Sequence, residues 1–294
     1  MGDAMDGASI GVTVIGLGEM GAALADAFLE RGHPVTVWNR TPGKADALVA
    51  KGARHVGTVR DAVLAGELVV VCVKGNGTVL GLLDDAGDAL GGRTLLNVTD
   101  GTSAEATAVA ERVRGEGAEH LHGQIMTIAP GVGHEDAVVF YGGDERVHER
   151  LRPVLRALGG RGTWVSADPG AAVLYGMAVH DTMWGLLNGF LHAAALLSDA
   201  GIEAKRFLEY ARPSMSALTS FLPSIADEVD AGAHAVPFGA LRHHLPSVDD
   251  VVRESRARGI DGELPEYTRT LVAHALEQGH ADDSYSRLVE HFRG

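Results

Sequence analysis

Short apolar runs of β type alternate with helical patterns through the first half of the chain. The runs are Val12–Ile15, Val35–Trp38, Leu68–Val73, Thr94–Val98, His120–Ile125 and Ala137–Tyr141. Between them, Met20–Glu30, Lys44–Ala50, Val59–Ala65 and Ala104–Arg114 repeat apolar residues at helical spacing. Apolar strands alternating with helices predict a parallel sheet covered on both faces. A helix over Glu145–Leu158 and a strand over Gly162–Val165 are expected to complete this part. At Asp168-Pro169-Gly170 the pattern changes. Ala171–Leu197 is apolar around most of its circumference, which predicts one long helix buried between domains or subunits. Helices are expected at Ala204–Ala211, Ser216–Ala231, Val248–Arg258 and Leu264–Gln278, with no strand among them.

Composition narrows the function classes. The 294 residues are near the size at which one core stops growing, so two domains are expected. With 39 acidic against 25 basic residues, the net charge of −14 argues against a nucleic-acid partner. The single Cys72 permits no internal disulfide and favours a reducing, cytoplasmic setting. The acidic opening MGDAMDGAS shows no leader pattern, and no apolar stretch is long enough to predict a membrane span. The 39 glycines follow no Gly-X-Y period and point instead to tight turns and close backbone approaches.

One group of glycines has a specific use. Val12–Ile15 leads directly into Gly16-Leu17-Gly18-Glu19-Met20-Gly21, which opens a helix. A GxGxxG in that position marks a dinucleotide site. Gly16 permits the tight turn, Gly18 lets the backbone approach a pyrophosphate, and Gly21 lets helix and strand pack closely. The helix N-terminus then presents free N–H groups to the anion. The fold expected is an α/β Rossmann domain over 1–168, then a long interdomain helix over 169–199 opening an all-α C-terminal domain over 169–294. At the end of the second strand an NAD site carries an acid for the ribose 2′-OH. Here that place holds Asn39-Arg40-Thr41, with Lys44 close behind. Arg40 and Lys44 suit a 2′-phosphate, so NADPH is the expected cofactor. Val73, Lys74 and Thr99, at the ends of the next two strands, complete the expected cofactor set.

Further segments resemble the imine reductases, NADPH-dependent relatives of the β-hydroxyacid dehydrogenases. The likeness runs through GLGEMGAALADAFLERGHPVTVWNRTPGKADALVAKGA and the loop Asn97-Val98-Thr99-Asp100-Gly101-Thr102, similar to the family's N-L-T-S-G-T. It continues in Gly123-Gln124-Ile125-Met126, Pro130, Tyr141-Gly142-Gly143 and HLPSVDDVVRESRARGIDGELP. The resemblance implies two intertwined chains, each active site lying between one subunit's Rossmann domain and the other's helices.

The β-hydroxyacid dehydrogenases carry a catalytic Lys early in the interdomain helix. The matching Gly170-Ala171-Ala172-Val173-Leu174-Tyr175-Gly176 has none, and no Lys occurs between Lys74 and Lys205. Alcohol–ketone chemistry of that type needs a cationic acid/base beside the carbinol, so its absence shifts the expectation to C=N reduction. In LYGMAVHDTMWG, Asp181 matches an Asp of the family pattern, while Trp184 stands where other members place Tyr. Gly176 replaces a frequent family Asp. Gly176, His180 and Trp184 share one helix face, about 100° away from Asp181. Burial of Asp181 on an apolar helix would raise its pKa and suit it to serve an iminium. Asp181, His180 or an ordered water is the candidate proton source. Asp100, in place of a family Ser, together with Met126, Tyr175 and Trp184 forms the candidate substrate pocket. The 14 histidines include the pair His243-His244 but no metal-ligand spacing, and no metal is expected. The expected activity is NADPH-dependent reduction of a cyclic imine. The rivals are a β-hydroxyacid dehydrogenase-like oxidoreductase and a non-catalytic NADP-binding protein.

Overall fold

A computed structural model describes residues 9–41, 43–235 and 239–294. Residues 1–8, within the segment read as having no leader, lie outside them. The chain divides into two compact units, the first ending at Asp181 and the second beginning at Thr182.

In the first unit eight strands build one sheet. They are β1 (Val12–Ile15), β2 (Val35–Trp38), β3 (Arg54–His55), β4 (Leu68–Val71), β5 (Thr94–Asn97), β6 (Glu119–Ile125), β7 (Val138–Gly143) and β8 (Arg161–Ser166). Their order is β3-β2-β1-β4-β5-β6-β7-β8, so the chain crosses over between β1 and β4. The helices are α1 (Glu19–Glu30), α2 (Asp46–Ala50), α3 (Val59–Ala65), α4 (Asn76–Ala86), α5 (Ser103–Gly115) and α6 (Glu145–Leu155). Alternation along the strands divides the core. Val12, Val14, Val70, Leu96 and Leu121 pack with Leu24 and Phe28 of α1 and Leu151 of α6. Ile15, Val69, Val71 and Leu95 pack with Val63, Val79, Leu83, Val109 and Val113 on the opposite face. Both faces are covered, as the unbroken apolar runs require.

The sheet is not wholly parallel, which corrects the sequence expectation. β6 and β7 are antiparallel, and β8 is parallel to β7. A parallel return needs a crossover, usually helical. The connection after β6 contains Pro130, Gly131 and Gly133 and forms only a 3-10 turn at Ala129–Gly131, so the chain doubles back. Helix α6 also stops at Leu155, short of the expected Leu158, two residues after Pro153.

The long helix, α7 (Pro169–Asp199), departs from expectation in its burial. Pro169, Gly170, Ala172, Val173 and Gly176 are buried, but Leu174 (55%), Leu186 (56%) and Leu191 (61%) are largely exposed. The chain by itself does not cover this apolar helix.

In the second unit, α7 is followed by α8 (Ala204–Thr219), α9 (Leu222–Ala231), α10 (His244–Ala257), α11 (Glu263–Glu277) and α12 (Val289–Arg293). Its described residues form no strand, only the bridge pair Ala235–Asp283. The interruption expected around Pro213 is absent, because α8 runs through it to Thr219. The break falls at Ser220 and Phe221, ahead of Pro223 in the first turn of α9, where a missing N–H is tolerated. Leu241, Leu271, Val272, Ala275 and Leu288 form a small core. Glu228 accepts hydrogen bonds from the Ser284 and Ser286 hydroxyls, and Ser286 meets the buried His234 at 2.8 Å. No described helix is long and apolar enough to cross a membrane.

Candidate active site

The glycine loop between β1 and α1 lies at the C-terminal edge of the sheet beside the crossover, where open α/β sheets bind their ligands. Each of its three glycines has a distinct steric reason. Gly16 has φ +95°, and a Cβ there would stand 2.1 Å from the Cys72 carbonyl oxygen. A Cβ on Gly21 would stand 1.9 Å from the Gly16 carbonyl oxygen, so α1 packs directly on the turn. A Cβ on Gly18 would meet nothing within 4 Å. Gly18 is the N-cap of α1 and caps it with no side chain, leaving the first-turn N–H groups open. Its small size serves no contact within the chain. Leu17 is buried, Glu19 is exposed, and Met20 packs against the core.

Asn39 ties this loop to the end of β2. Its Oδ1 accepts the Leu17 N–H at 2.9 Å and its Nδ2 donates to the Thr41 carbonyl at 3.0 Å. Arg40, Thr41 and Lys44 are exposed, and neither Arg40 nor Lys44 forms an ion pair among the described residues. Two positive charges are thereby left uncompensated beside the loop.

The ends of β4 and β5 are fastened by a polar network. The Val73 N–H donates to Thr99 Oγ1 at 3.2 Å, and the Thr99 N–H donates to Asn97 Oδ1 at 3.0 Å. Asn97 Nδ2 donates to Asn76 Oδ1 at 2.8 Å, and Asn76 Nδ2 approaches the Asp100 carbonyl at 3.5 Å. Thr99, Asn97 and Asn76 are buried, whereas Lys74 and Asp100 are exposed. A Cβ on Gly101 would stand 2.2 Å from Asn76 Nδ2, so only glycine leaves room for this amide. Thr102 then starts α5 with a capping box, its hydroxyl accepting the Glu105 N–H while the Glu105 carboxylate accepts the Thr102 N–H. Those bonds hold the Glu105 carboxyl below its usual range. Burial, reinforced by the Asp100 carboxylate, pushes the Cys72 thiol up to about 11, so Cys72 stays protonated and is no nucleophile.

The candidate catalytic residues lie on α7. His180 is half-buried and Asp181 is exposed. The burial expected for Asp181 is therefore not supplied by the chain alone. Tyr175 is half-exposed, with its ring centroid 5.5 Å from that of Phe140. Met126 is half-buried just after β6, and its N–H donates to the Val138 carbonyl. Trp184, 55% exposed, belongs to the second unit. Gln124, which carried no role in the sequence reading, is 8% exposed and donates from Nε2 to Asp100 Oδ1 at 3.3 Å. No group of three or more potential metal ligands occurs among the described residues.

Residues 11–166 match the NAD binding domain of 6-phosphogluconate dehydrogenase, and 168–294 match the C-terminal domain of NADPH-dependent reductive aminase-like proteins. The chain is 34% identical to an NADPH-dependent reductive aminase of Aspergillus oryzae, over 96% of this chain and 97% of that one. It belongs to the reductive aminase and imine reductase family. A reductive aminase of Aspergillus terreus, solved with NADPH4, cyclohexanone and allyl amine, superposes with a TM-score of 0.89 at 34% identity, covering 97% of this chain and 100% of that one. The imine reductase of Bacillus cereus gives 0.90 at 38%, covering 97% and 99%.

Proposed function

We propose that the chain reduces C=N bonds with NADPH, acting on a cyclic imine or on an iminium formed from a ketone and an amine. The observation that carries this reading is an intact dinucleotide cradle joined to an interdomain helix without lysine. The cradle fits the cofactor: Gly18 faces open space at a helix N-terminus, which suits a pyrophosphate. Arg40 and Lys44, exposed beyond β2, would hold the 2′-phosphate, with Thr41 beside them. Leu17, Glu19, Met20 and Gly21 shape the loop, Asn39 fixes it, and Val73, Lys74 and Thr99 line its far side. Bound there, NADPH supplies the hydride.

The chain's own residues then have three tasks. The cradle orients the cofactor, and Met126, Tyr175 and Trp184 furnish apolar surface for a substrate. Asp181, His180 or a water ordered by one of them delivers the proton to the nitrogen of a neutral imine, so that hydride meets an iminium. The lack of a lysine between Lys74 and Lys205 removes the acid/base that an alcohol dehydrogenase of this superfamily type requires. The exposed apolar stretch of α7 supports an intertwined homodimer, in which a second chain would cover it; light scattering that returned a monomer would remove this part. Cys72, the single thiol, suits a cytoplasmic setting.

The activity is tested by NADPH consumption with a panel of small cyclic imines, comparing the native chain with Asp181→Ala. Turnover is expected, with a reduced kcat in the variant; undiminished kcat would exclude Asp181 from the chemistry. Tight NADPH binding without turnover across the panel would favour a non-catalytic NADP-binding protein. Arg40→Ala is expected to weaken NADPH by about ten- to a hundredfold, the worth of about 1.5 to 3 kcal/mol of charge-assisted bonding, and to leave NADH binding nearly unchanged. Equal losses for both cofactors would show that Arg40 does not read the 2′-phosphate.

A further inference from the structure

Three residues from three parts of the first unit meet beside the end of β5. Asp100 follows β5, Gln124 lies near the end of β6, and Gly176 faces Gln124 from α7. A Cβ built on Gly176 would stand 2.2 Å from Gln124 Cγ and 2.9 Å from its Cδ. The Gln124 side chain therefore occupies the space that any larger residue at 176 would need. From there its Nε2 donates to Asp100 Oδ1 at 3.3 Å. The other carboxylate oxygen accepts no hydrogen bond among the described residues, and no cation forms an ion pair with Asp100. Below the carboxylate, the loop is fixed by Asn76 and by the space that Gly101 leaves for it.

This arrangement orients a carboxylate without neutralising it. A lysine or arginine in place of Gln124 would do both, whereas an amide supplies only direction. Position 176 of the helix offers no side-chain acid. In this chain the helix has glycine there, and a carboxylate stands on the loop opposite. We infer that Asp100 is the anionic anchor for the substrate nitrogen, positioned by Gln124 lying across Gly176.

The inference rests on the reading of the chain as a C=N reductase and assigns the group that selects a cationic nitrogen. An iminium differs from its imine by one proton, and a carboxylate within hydrogen-bonding reach favours the protonated form. The N–H of the iminium donates to the free Asp100 oxygen, a charge-assisted contact. When hydride adds to the carbon, the C=N π pair moves onto nitrogen and cancels its charge. The product is the neutral amine, and no further proton is required.

The test uses the full chain with NADPH, and cyclohexanone, methylamine and preformed 1-pyrroline as probes. Asp100→Asn is expected to raise KM for methylamine and 1-pyrroline by about ten- to a hundredfold, with KM for cyclohexanone moving less than about threefold. NADPH affinity, read by fluorescence titration, is expected to stay within about twofold. Gln124→Ala and Gly176→Ala are each expected to give a smaller shift of the same selectivity, and the double variant to match Gln124→Ala alone. Urea unfolding without cofactor reads the same pair: Gly176→Ala lowers the midpoint in the native background and not beside Gln124→Ala. An unchanged KM for methylamine and 1-pyrroline in a working Asp100→Asn enzyme overturns the inference. If the native chain turns over neither substrate, the C=N reductase reading fails separately. Calorimetry of methylamine on the NADP+-loaded protein then still decides the anchor, which survives only if Asp100→Asn abolishes the binding.

Discussion

Gly21→Ala is expected to damage the fold, and Gly18→Ala only the ligand site. The new methyl at 21 would stand 1.9 Å from the Gly16 carbonyl oxygen, a main-chain atom held in the turn after β1. Neither partner can swing away as a side-chain tip would, so α1 must lift from the turn. A loss of about 3 kcal/mol or more in unfolding free energy is expected, with NADPH binding lost as well. At Gly18 the backbone has φ −70° and ψ −175°, which alanine adopts freely, and its Cβ would meet no atom within 4 Å. Stability is expected to change by less than about 1 kcal/mol, the scale of an N-cap exchange. NADPH affinity is expected to fall by at least about tenfold, because the methyl fills the place where a pyrophosphate approaches the backbone. Urea midpoints and NADPH titrations on the two variants measure both halves. A normal midpoint for Gly21→Ala would refute the clash, and full affinity in Gly18→Ala would move the phosphate elsewhere.

That contrast marks what was legible in the sequence. A glycine between a strand and a helix has few uses, so Gly16, Gly18 and Gly21 were read with their separate roles. The apolar runs located β1, β2 and β4 to β7 within one or two residues, because buried strands admit little else. Direction is a different matter. The pattern of Val138–Gly143 reads the same in either sense, and only the failure of the preceding segment to form a helix turns β7 antiparallel. Side-chain partnerships were also invisible. Asn76 meets Asn97 across 21 positions, and Gln124 meets Asp100 across 24, separations at which no local periodicity speaks.

Gly176 shows the same limit. Beside the family pattern it reads as a lost carboxylate, and the structure adds that its absence makes room for Gln124. The composition of α7 demanded burial without naming what provides it. The chain leaves Leu174, Leu186 and Leu191 exposed, and with them Asp181, whose expected desolvation depends on a surface that another molecule would have to bring.

Mild acid is expected to unfold the protein through two histidines that the catalytic reading does not use. His120 and His122 alternate on β6 beside Leu95 and Asn97 of β5, and both are buried. Burial pushes the His120 imidazole down to about 3 and that of His122 to about 4. Among the described residues no hydrogen-bond partner of good geometry meets either ring, although the nearby Gln124 amide and Asp100 carboxylate oppose part of the His122 shift. The sign follows from the folded values lying below the unfolded value of about 6.5. Above pH 6.5 both states hold neutral rings, and the two histidines leave stability independent of pH. Between about 6.5 and 4 the unfolded chain takes up protons that the folded chain refuses, so stability falls as pH falls. Each ring contributes up to about 1.4 kcal/mol per pH unit, and the pair approaches 3. His33 and His148, also lowered by burial, act in the same direction. Over two pH units the loss reaches the size of a typical domain's entire stability. Carboxylates held low by their partners, such as Glu119 beside Arg150, weaken the fold only nearer their own unfolded range of about 4 to 4.5. Urea midpoints from pH 7.5 down to 5 therefore isolate the histidines. The midpoint is expected to drop steeply in the native chain and to flatten in His120→Leu, which removes the deeper of the two shifts. An equally steep drop in that variant would place the acid sensitivity outside β6.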